Sequence, residues 1–385
     1  MRYLLPISMF TIGSMLIERG VYFYTTQIFH FESLCNLLLS LSYGMAYVVG
    51  AAVVAPRIGR NQLHHKAALV AAAIGVVAAS IAAAGSASTI FLQFMAIGCL
   101  TGVMWPLLIG HTLGADTAVN SVARIGRFNL AWAFAVPPSI FLAGVVLDRW
   151  APGLPLSAGL VLAACAAVIV FNRRHPRAQA GHHAEPQDSL SFVSVGTVWA
   201  GRWGVLMGYT LVFALIPLQP TVFRQAGYSP AEATKWAMLF DVFRLATFLV
   251  MTGHRGWYGR VAPVHIAVLL APIGFFAAVA GPTIAWIAVG HAVLGVSAAF
   301  LYFAPLVHGL AGPTCSVRAG GYHEGAKGLA LLAGPFLAVI TLSVAENRLD
   351  HMARLIALPM LGLAVAGVAL HLICWATLGR YGKPT

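Results

Sequence analysis

Long apolar runs alternate with short polar connections along the whole chain. A helix that crosses a bilayer needs about 20 mostly apolar residues, and twelve runs approach or exceed that length. They are 3–26, 31–55, 67–84, 88–112, 126–147, 154–171, 199–222, 233–252, 262–280, 283–309, 321–345 and 354–377. The pattern predicts an all-α integral membrane protein with twelve transmembrane helices.

The longest polar connection divides the predicted spans into two sets of six. Residues 173–197 contain Pro, Gly and paired His, and they lie near the middle of the chain. Such a composition is typical of a linker. We therefore predict a six-helix half at 1–172, a linker at 173–197 and a second six-helix half at 198–385.

The composition is that of a chain surrounded by lipid. Hydrophobic residues make up 59% of the 385, charged residues 9%, and the mean hydropathy is +0.83. Soluble domains have about 45–50% apolar and about 25% charged residues. A soluble fold could not cover its surface with so few charges, so the composition indicates a membrane protein.

Several function classes are disfavoured by how the polar residues are distributed. The net charge is +12, but the basic residues lie in short loops and form no face for nucleic acid. The scattered cysteines contain no CxxC, and the histidines show no metal-ligand spacing. The sequence thus predicts no metal, no cofactor and no nucleic-acid partner. It also shows no clustered catalytic set, so we expect no enzyme.

The basic loops indicate the orientation. Most Lys and Arg residues outside the spans lie on the side of the two termini and the central linker, for example Arg57, Arg124 and Arg174. The positive-inside rule places that side in the cytoplasm. We expect a retained first helix, cytoplasmic termini and a location in a bacterial inner (plasma) membrane.

A short segment recurs in the two halves. Residues 121–132 read SVARIGRFNLAW and residues 316–327 read SVRAGGYHEGAK. In this alignment Asn129 corresponds to Glu324 and Trp132 corresponds to Lys327. The preceding spans also end alike, in MWPLLIGH (104–111) and FAPLVHG (303–309). Parallel duplication of a helical half is a transporter design.

The loop after the second span resembles that of the major facilitator superfamily. The family pattern is G-x-x-x-D-R-x-G-R-R, and residues 55–62 read APRIGRNQ, with Pro56 at the acidic position and Asn61 at the last arginine. The corresponding loop of the second half reads HRGWYGR (254–260). The resemblance implies two pseudo-symmetric six-helix bundles that transport by alternating access.

A narrower resemblance lies in the first span. Residues 15–29, MLIERGVYFYTTQIF, are similar to the E-x-x-E-R-F-x-Y-Y stretch of proton-coupled oligopeptide transporters. Glu18 and Arg19 match, whereas the first glutamate of the pattern is Met15 here. The resemblance implies a coupling role for the first helix and not a peptide substrate.

Charged side chains inside the spans are the candidate functional residues. Each costs about 2.5–3.5 kcal/mol at mid-bilayer on insertion scales, so each is expected to have a functional or structural role. Glu18–Arg19 are adjacent, whereas Asp241/Arg244 and Glu324/Lys327 are spaced i,i+3, on one helical face. We predict proton coupling at Glu18, Asp241 and Glu324, with Glu18 first. The predicted substrate contacts are Arg19, Tyr22, Arg244, Lys327, Asn129 and Trp105. The alternative is that these charges form structural ion pairs.

The function that these features favour is secondary active transport of a small polar or charged organic solute, coupled to protons. We expect a monomer in the lipid bilayer, whose partners are the solute and protons. One alternative is a proton-driven exporter of amphipathic compounds, and another is a membrane assembly factor that transports nothing. The sequence contains no P-loop, so direct use of ATP is not expected.

Overall fold

The computed structural model describes residues 4–58, 63–113, 121–171, 195–254, 256–258, 260–311 and 317–344, together with isolated positions between 362 and 377. Twelve α-helices lie in these ranges. They are α1 Leu4–Ile28, α2 Ser33–Val49, α3 Leu63–Ser80, α4 Ala87–Leu113, α5 Ser121–Arg149, α6 Gly153–Phe171, α7 Val195–Gln225, α8 Pro230–Ala237, α9 Leu239–Gly253, α10 Ala262–Ala280, α11 Ile284–Ala311 and α12 Val317–Val344.

Eleven helical segments among the described residues are long and apolar enough to cross a membrane. They correspond to the first eleven predicted spans, with ends that differ by a few residues. The predicted span 354–377 lies outside the described residues, apart from the isolated positions. The all-helical membrane architecture is thus confirmed for the part of the chain that can be compared.

The eighth span consists of two helices, and local sequence explains where it begins. Gly227 ends the preceding turn with φ of 83°, a conformation that glycine adopts without strain. Ser229 then caps α8, because its Oγ accepts from the Glu232 amide at 3.4 Å while the Glu232 carboxylate accepts from the Ser229 amide at 3.0 Å. Pro230 occupies the first helical position, where no amide donor is needed. The helix breaks at Met238, and α9 continues the span.

The helices pack in two groups that meet along a few helices. In the first group α1 packs on α5 and α6, α3 on α6, and α2 on α4; in the second, α7 packs on α12 while α11 packs on α9 and α10. Contacts between the groups involve α5 with α8 and α9, α2 with α12, and α7 with α1 and α2. The boundary at 173–197 stays a prediction, since 172–194 lie outside the described residues.

The connections 28–33, 149–153 and 225–230 lie at one end of the bundle, which we call the far side. The opposite end, reached by the connection between α2 and α3, is the linker side. On the far side α5 meets the start of α8, where the Ala231 amide donates to Asp148 Oδ2 at 3.2 Å. Gly144 of α5 lies so close to Thr234 Oγ1 and the Pro230 carbonyl that a Cβ would collide with both.

Replacing Gly144 by valine is expected to destabilise this contact by about 1–3 kcal/mol, the cost of inserting extra atoms into a close-packed site. The measurement is the thermal unfolding midpoint of the purified protein in detergent. Gly85→Val is the matched control, because a Cβ on Gly85 meets nothing within 4 Å. Equal midpoints for the two variants would contradict a close contact at Gly144.

Candidate functional site: a charged cavity between the two helix groups

A cavity of about 110 Å³ lies between the two groups of helices, near the middle of the spans. Four charged side chains line it: Glu18 and Arg19 from α1, Arg244 from α9 and Lys327 from α12. Most of the remaining wall is aromatic, with Tyr22, Tyr43, Tyr47, Trp105, Trp132, Tyr209, Phe213 and Tyr302. The cavity therefore combines charge with flat apolar surfaces, a combination suited to a charged organic molecule.

Two arginines and one aspartate form a buried cluster at this cavity, which we call the arginine cluster. Arg244 and Asp241 pair on one face of α9, as their i,i+3 spacing predicts. Arg19 Nη2 lies 3.5 Å from Asp241 Oδ2, so α1 of the first group is joined to α9 of the second. The Asp241 side chain is fully buried, and 8–9% of each arginine side chain is exposed.

Aromatic rings hold both guanidinium groups of the arginine cluster in place. The Phe240 ring lies 5.8 Å from the Arg19 guanidinium carbon and 5.1 Å from that of Arg244. The Trp132 ring lies 4.6 Å from the Arg244 carbon, so this arginine lies between two rings. Both arginines line the cavity, whereas Asp241 is not among the lining residues. The cluster thus presents fixed N–H donors to the cavity with the carboxylate behind them.

Glu18 has different neighbours from those expected. Arg19, its neighbour in sequence and the nearest candidate partner, pairs with Asp241 instead. The Glu18 carboxylate instead accepts from Thr101 Oγ1 of α4 at 3.4 Å, and Tyr43 of α2 lines the same cavity. The reason is geometric: adjacent helical residues project about 100° apart, so their side chains do not face each other.

Lys327 lies at the cavity wall between two rings from different helix groups. Its Nζ lies 5.3 Å from the centroid of Trp105 in α4 and 5.8 Å from that of Tyr302 in α11. It is also near enough to Glu18 for their charges to attract. The predicted partner, Glu324, lies on α12, but its side chain is outside the described residues.

The two consecutive residues of opposite charge on α1 therefore each face an opposite charge of the second group. Glu18 faces Lys327, and Arg19 faces Asp241. With every group ionised, the two acids and three bases described here give a net charge of +1. Protonation of Glu18 raises it to +2.

The remaining predicted contacts fall into two groups. Tyr22 and Trp105 line the cavity. Asn129 does not: it is fully buried, and its Oδ1 accepts from Trp132 Nε1 at 3.1 Å, so it positions a lining ring. Among the described residues, no three His, Cys, Asp or Glu side chains are grouped closely enough to hold a metal ion.

Three residues of the site are not among those that the sequence pattern predicts as contacts. They are Thr101, Tyr43 and Tyr302. Thr101 is a polar residue in an apolar run, which is a weak signal on its own. No pattern in the sequence indicates Tyr302, whose ring reaches the site only because α11 packs against α7 and α12.

No family model matches the sequence, and no curated protein matches it either. Solved structures do match over nearly all of its length. The nucleoside transporter NupG aligns with 97% of this chain and 99% of its own, at 12% identity and a TM-score of 0.71. A bacterial homolog to the human lysosomal transporter Spinster, in an inward-facing and occupied conformation, aligns over 98% and 95%, at 13% identity and a TM-score of 0.68.

The human organic anion transporter MFSD10 (TETRAN) aligns with 96% of this chain and 98% of its own, at 16% identity and a TM-score of 0.64. These proteins are transporters with the major facilitator architecture. At such low identities the likeness concerns the fold alone. The chain has the major facilitator fold, as the loop after the second span suggested.

Proposed function

We propose that this chain is a secondary transporter, and not an enzyme, that moves a small organic anion together with a proton by alternating access. The arginine cluster is the observation on which the proposal rests. It places two oriented guanidinium groups at a cavity between the two helix groups, with one carboxylate to balance them. Three structural neighbours with this fold are transporters, which supports the general class.

An anion is the substrate class that the cavity charges favour. Guanidinium groups bind carboxylates and phosphates through paired hydrogen bonds, and the rings around Arg19 and Arg244 reduce the entropy lost on binding. An incoming anion competes with Asp241 for the N–H donors. The neighbours transport nucleosides in one case and organic anions in another; three cations at the cavity favour the second chemistry.

Glu18 is the group that we assign to proton coupling. Its side chain lines the cavity together with Lys327, and among the described ion pairs it has none with an arginine. A proton on Glu18 removes a negative charge from the cavity and leaves the Lys327 charge for the substrate. The proton therefore favours anion binding, and by linkage the anion favours the proton.

The proposal also includes an orientation. The linker side faces the cytoplasm and the far side faces outward, so that a bacterial inner membrane supplies an inward proton gradient. The basic loop residues support this orientation. The chain is proposed to work as a monomer, because both walls of the cavity come from one chain.

Proteoliposomes test the proposal directly. We expect uptake of members of a panel of small carboxylates, sulfonates and phosphates when the lumen is more alkaline than the medium, and little uptake of matched neutral analogues such as nucleosides. Arg244→Gln should lower the affinity for the anion tenfold or more, because a charge-assisted hydrogen bond contributes about 1.5–3 kcal/mol. Arg260→Gln, an exposed arginine on the linker side, is the control.

Equal transport of anions and neutral analogues, or an Arg244→Gln variant as active as the control, would refute anion transport.

One observation favours a second candidate, export of amphipathic compounds: eight aromatic side chains line the cavity. Export is distinguished by its direction, since solute would then leave the compartment into which protons flow.

A further inference from the structure

A second cavity lies at the far side, between α1, α7 and the start of α8. Its volume is about 200 Å³. The helices that form it are fixed at this point by two features already described, the glycine turn at Gly227 and the capping box of α8. Its shape is therefore built into the end of the bundle.

The two cavities follow one another along the same helices. On α1 the central cavity ends at Tyr22, and the far-side cavity begins at Phe23 and continues to Gln27. On α7 the central cavity reaches Ile216, and Pro220 lines the far-side cavity one turn later. At 1.5 Å per residue, the centres of the two cavities lie roughly 10 Å apart along the spans. The far-side cavity thus lies farther along these helices, nearer the far end of the bundle than the central cavity does.

The far-side cavity has its own cation. Arg224, in the last turn of α7, lines it and is exposed to solvent. Within the described part of the chain, the ion pairs are those of the arginine cluster, and Arg224 takes part in neither. The side chains of Gln27 and Tyr228 add polar groups, whereas Phe23 and Pro220 supply an apolar wall.

We propose that the far-side cavity is an outer binding site for a small carboxylate that carries an apolar ring. Arg224 binds the carboxylate, and the ring lies against Phe23 and Pro220. The inference that this ligand goes on to the central cavity rests on the proposed function; binding at the outer site does not. A charge at the mouth raises the local anion concentration and the rate of entry, in a manner that salt screens.

The test uses 4-fluorobenzoate as the probe and follows its ¹⁹F signal with the full chain in nanodiscs, with empty nanodiscs subtracted. The parent variant is Arg19→Gln/Asp241→Asn/Arg244→Gln, in which the arginine cluster is replaced by neutral groups. In this background we expect saturable binding that Arg224→Gln weakens about fivefold, the effect of removing one partly solvated charge contact. Arg224→Lys should keep most of the affinity, and added salt should weaken it.

Lys235→Gln is the matched control, since Lys235 is an exposed cation of α8 that does not line the cavity. An Arg224→Gln variant that binds like the parent, or a parent without saturable binding, overturns the outer site. If the triple variant is not monodisperse, the same comparison is made in the wild-type background, where Arg224→Gln should remove the weaker of two binding components. Failure of transport in proteoliposomes with outer-site binding intact would refute the proposed function alone.

Discussion

The Asp241→Asn variant is expected to be the most damaging single change in the arginine cluster. Asp241 is fully buried and balances two guanidinium groups, one from each helix group. Removing its charge leaves Arg19 and Arg244 close together in a low-dielectric site without a counter-ion. Breaking a buried ion pair by removing one partner costs about 3–5 kcal/mol, and we expect a loss of that size in unfolding free energy together with loss of transport.

Thermal or denaturant unfolding in detergent measures this effect. Asp148→Asn is the control, since Asp148 is an exposed aspartate whose acceptor role an amide oxygen can retain. Adding Arg19→Gln to Asp241→Asn should recover part of the lost stability, because it removes an uncompensated charge. The interpretation is wrong if Asp241→Asn and Asp148→Asn destabilise equally.

The Glu18→Gln variant is expected to lose proton-driven accumulation and to keep solute exchange. Glutamine has nearly the same shape and can still accept from Thr101, but its amide does not take up a proton at the pH values of a transport assay. For one proton per monovalent anion, each unit of pH gradient supports about a tenfold concentration ratio. We expect that ratio in the wild type and no accumulation in the variant.

Uptake at several imposed pH gradients measures the proton-driven accumulation. Counterflow without a gradient measures the solute exchange. Glu32→Gln provides the control, because Glu32 is exposed and its side chain does not cap α2. If Glu18→Gln accumulates solute while a folded Asp241→Asn variant does not, the proton site belongs to Asp241. If exchange is also lost in Glu18→Gln, the residue has a role in binding or stability beyond proton uptake.

The spans could be predicted from the sequence because lipid imposes a simple rule on composition and length. Charged residues within the spans could be identified because lipid disfavours them, so they are conspicuous in an apolar run. The Asp241–Arg244 pair could be predicted from its i,i+3 spacing on one helix. The beginning of α8 also has a local signature, Ser229-Pro230 followed by Glu232. These predictions depend on residues a few positions apart.

The partners of the α1 charges could not be predicted in this way. Arg19 and Asp241 are far apart in sequence, and their contact depends on how α1 of one group meets α9 of the other. Glu18 accepts a hydrogen bond from Thr101 of α4, and a linear pattern does not show how α4 lies relative to α1. Glu18 and Arg19 are adjacent in sequence, but helix geometry directs the two side chains to different neighbours.

The two copies of the recurring segment, residues 121–132 and 316–327, contribute different chemical groups to the cavity. Position 132 supplies the ring of a cation–π contact, with Trp132 against Arg244, whereas the corresponding position 327 supplies the cation, with Lys327 against Trp105. A protein made of two copies of the first half would have a tryptophan ring at positions 132 and 327. A protein made of two copies of the second half would have a lysine ammonium group at both positions. If the halves descend from one duplicated ancestor, this cavity is a product of their later divergence, and an ancestral homodimer would have had a different selectivity.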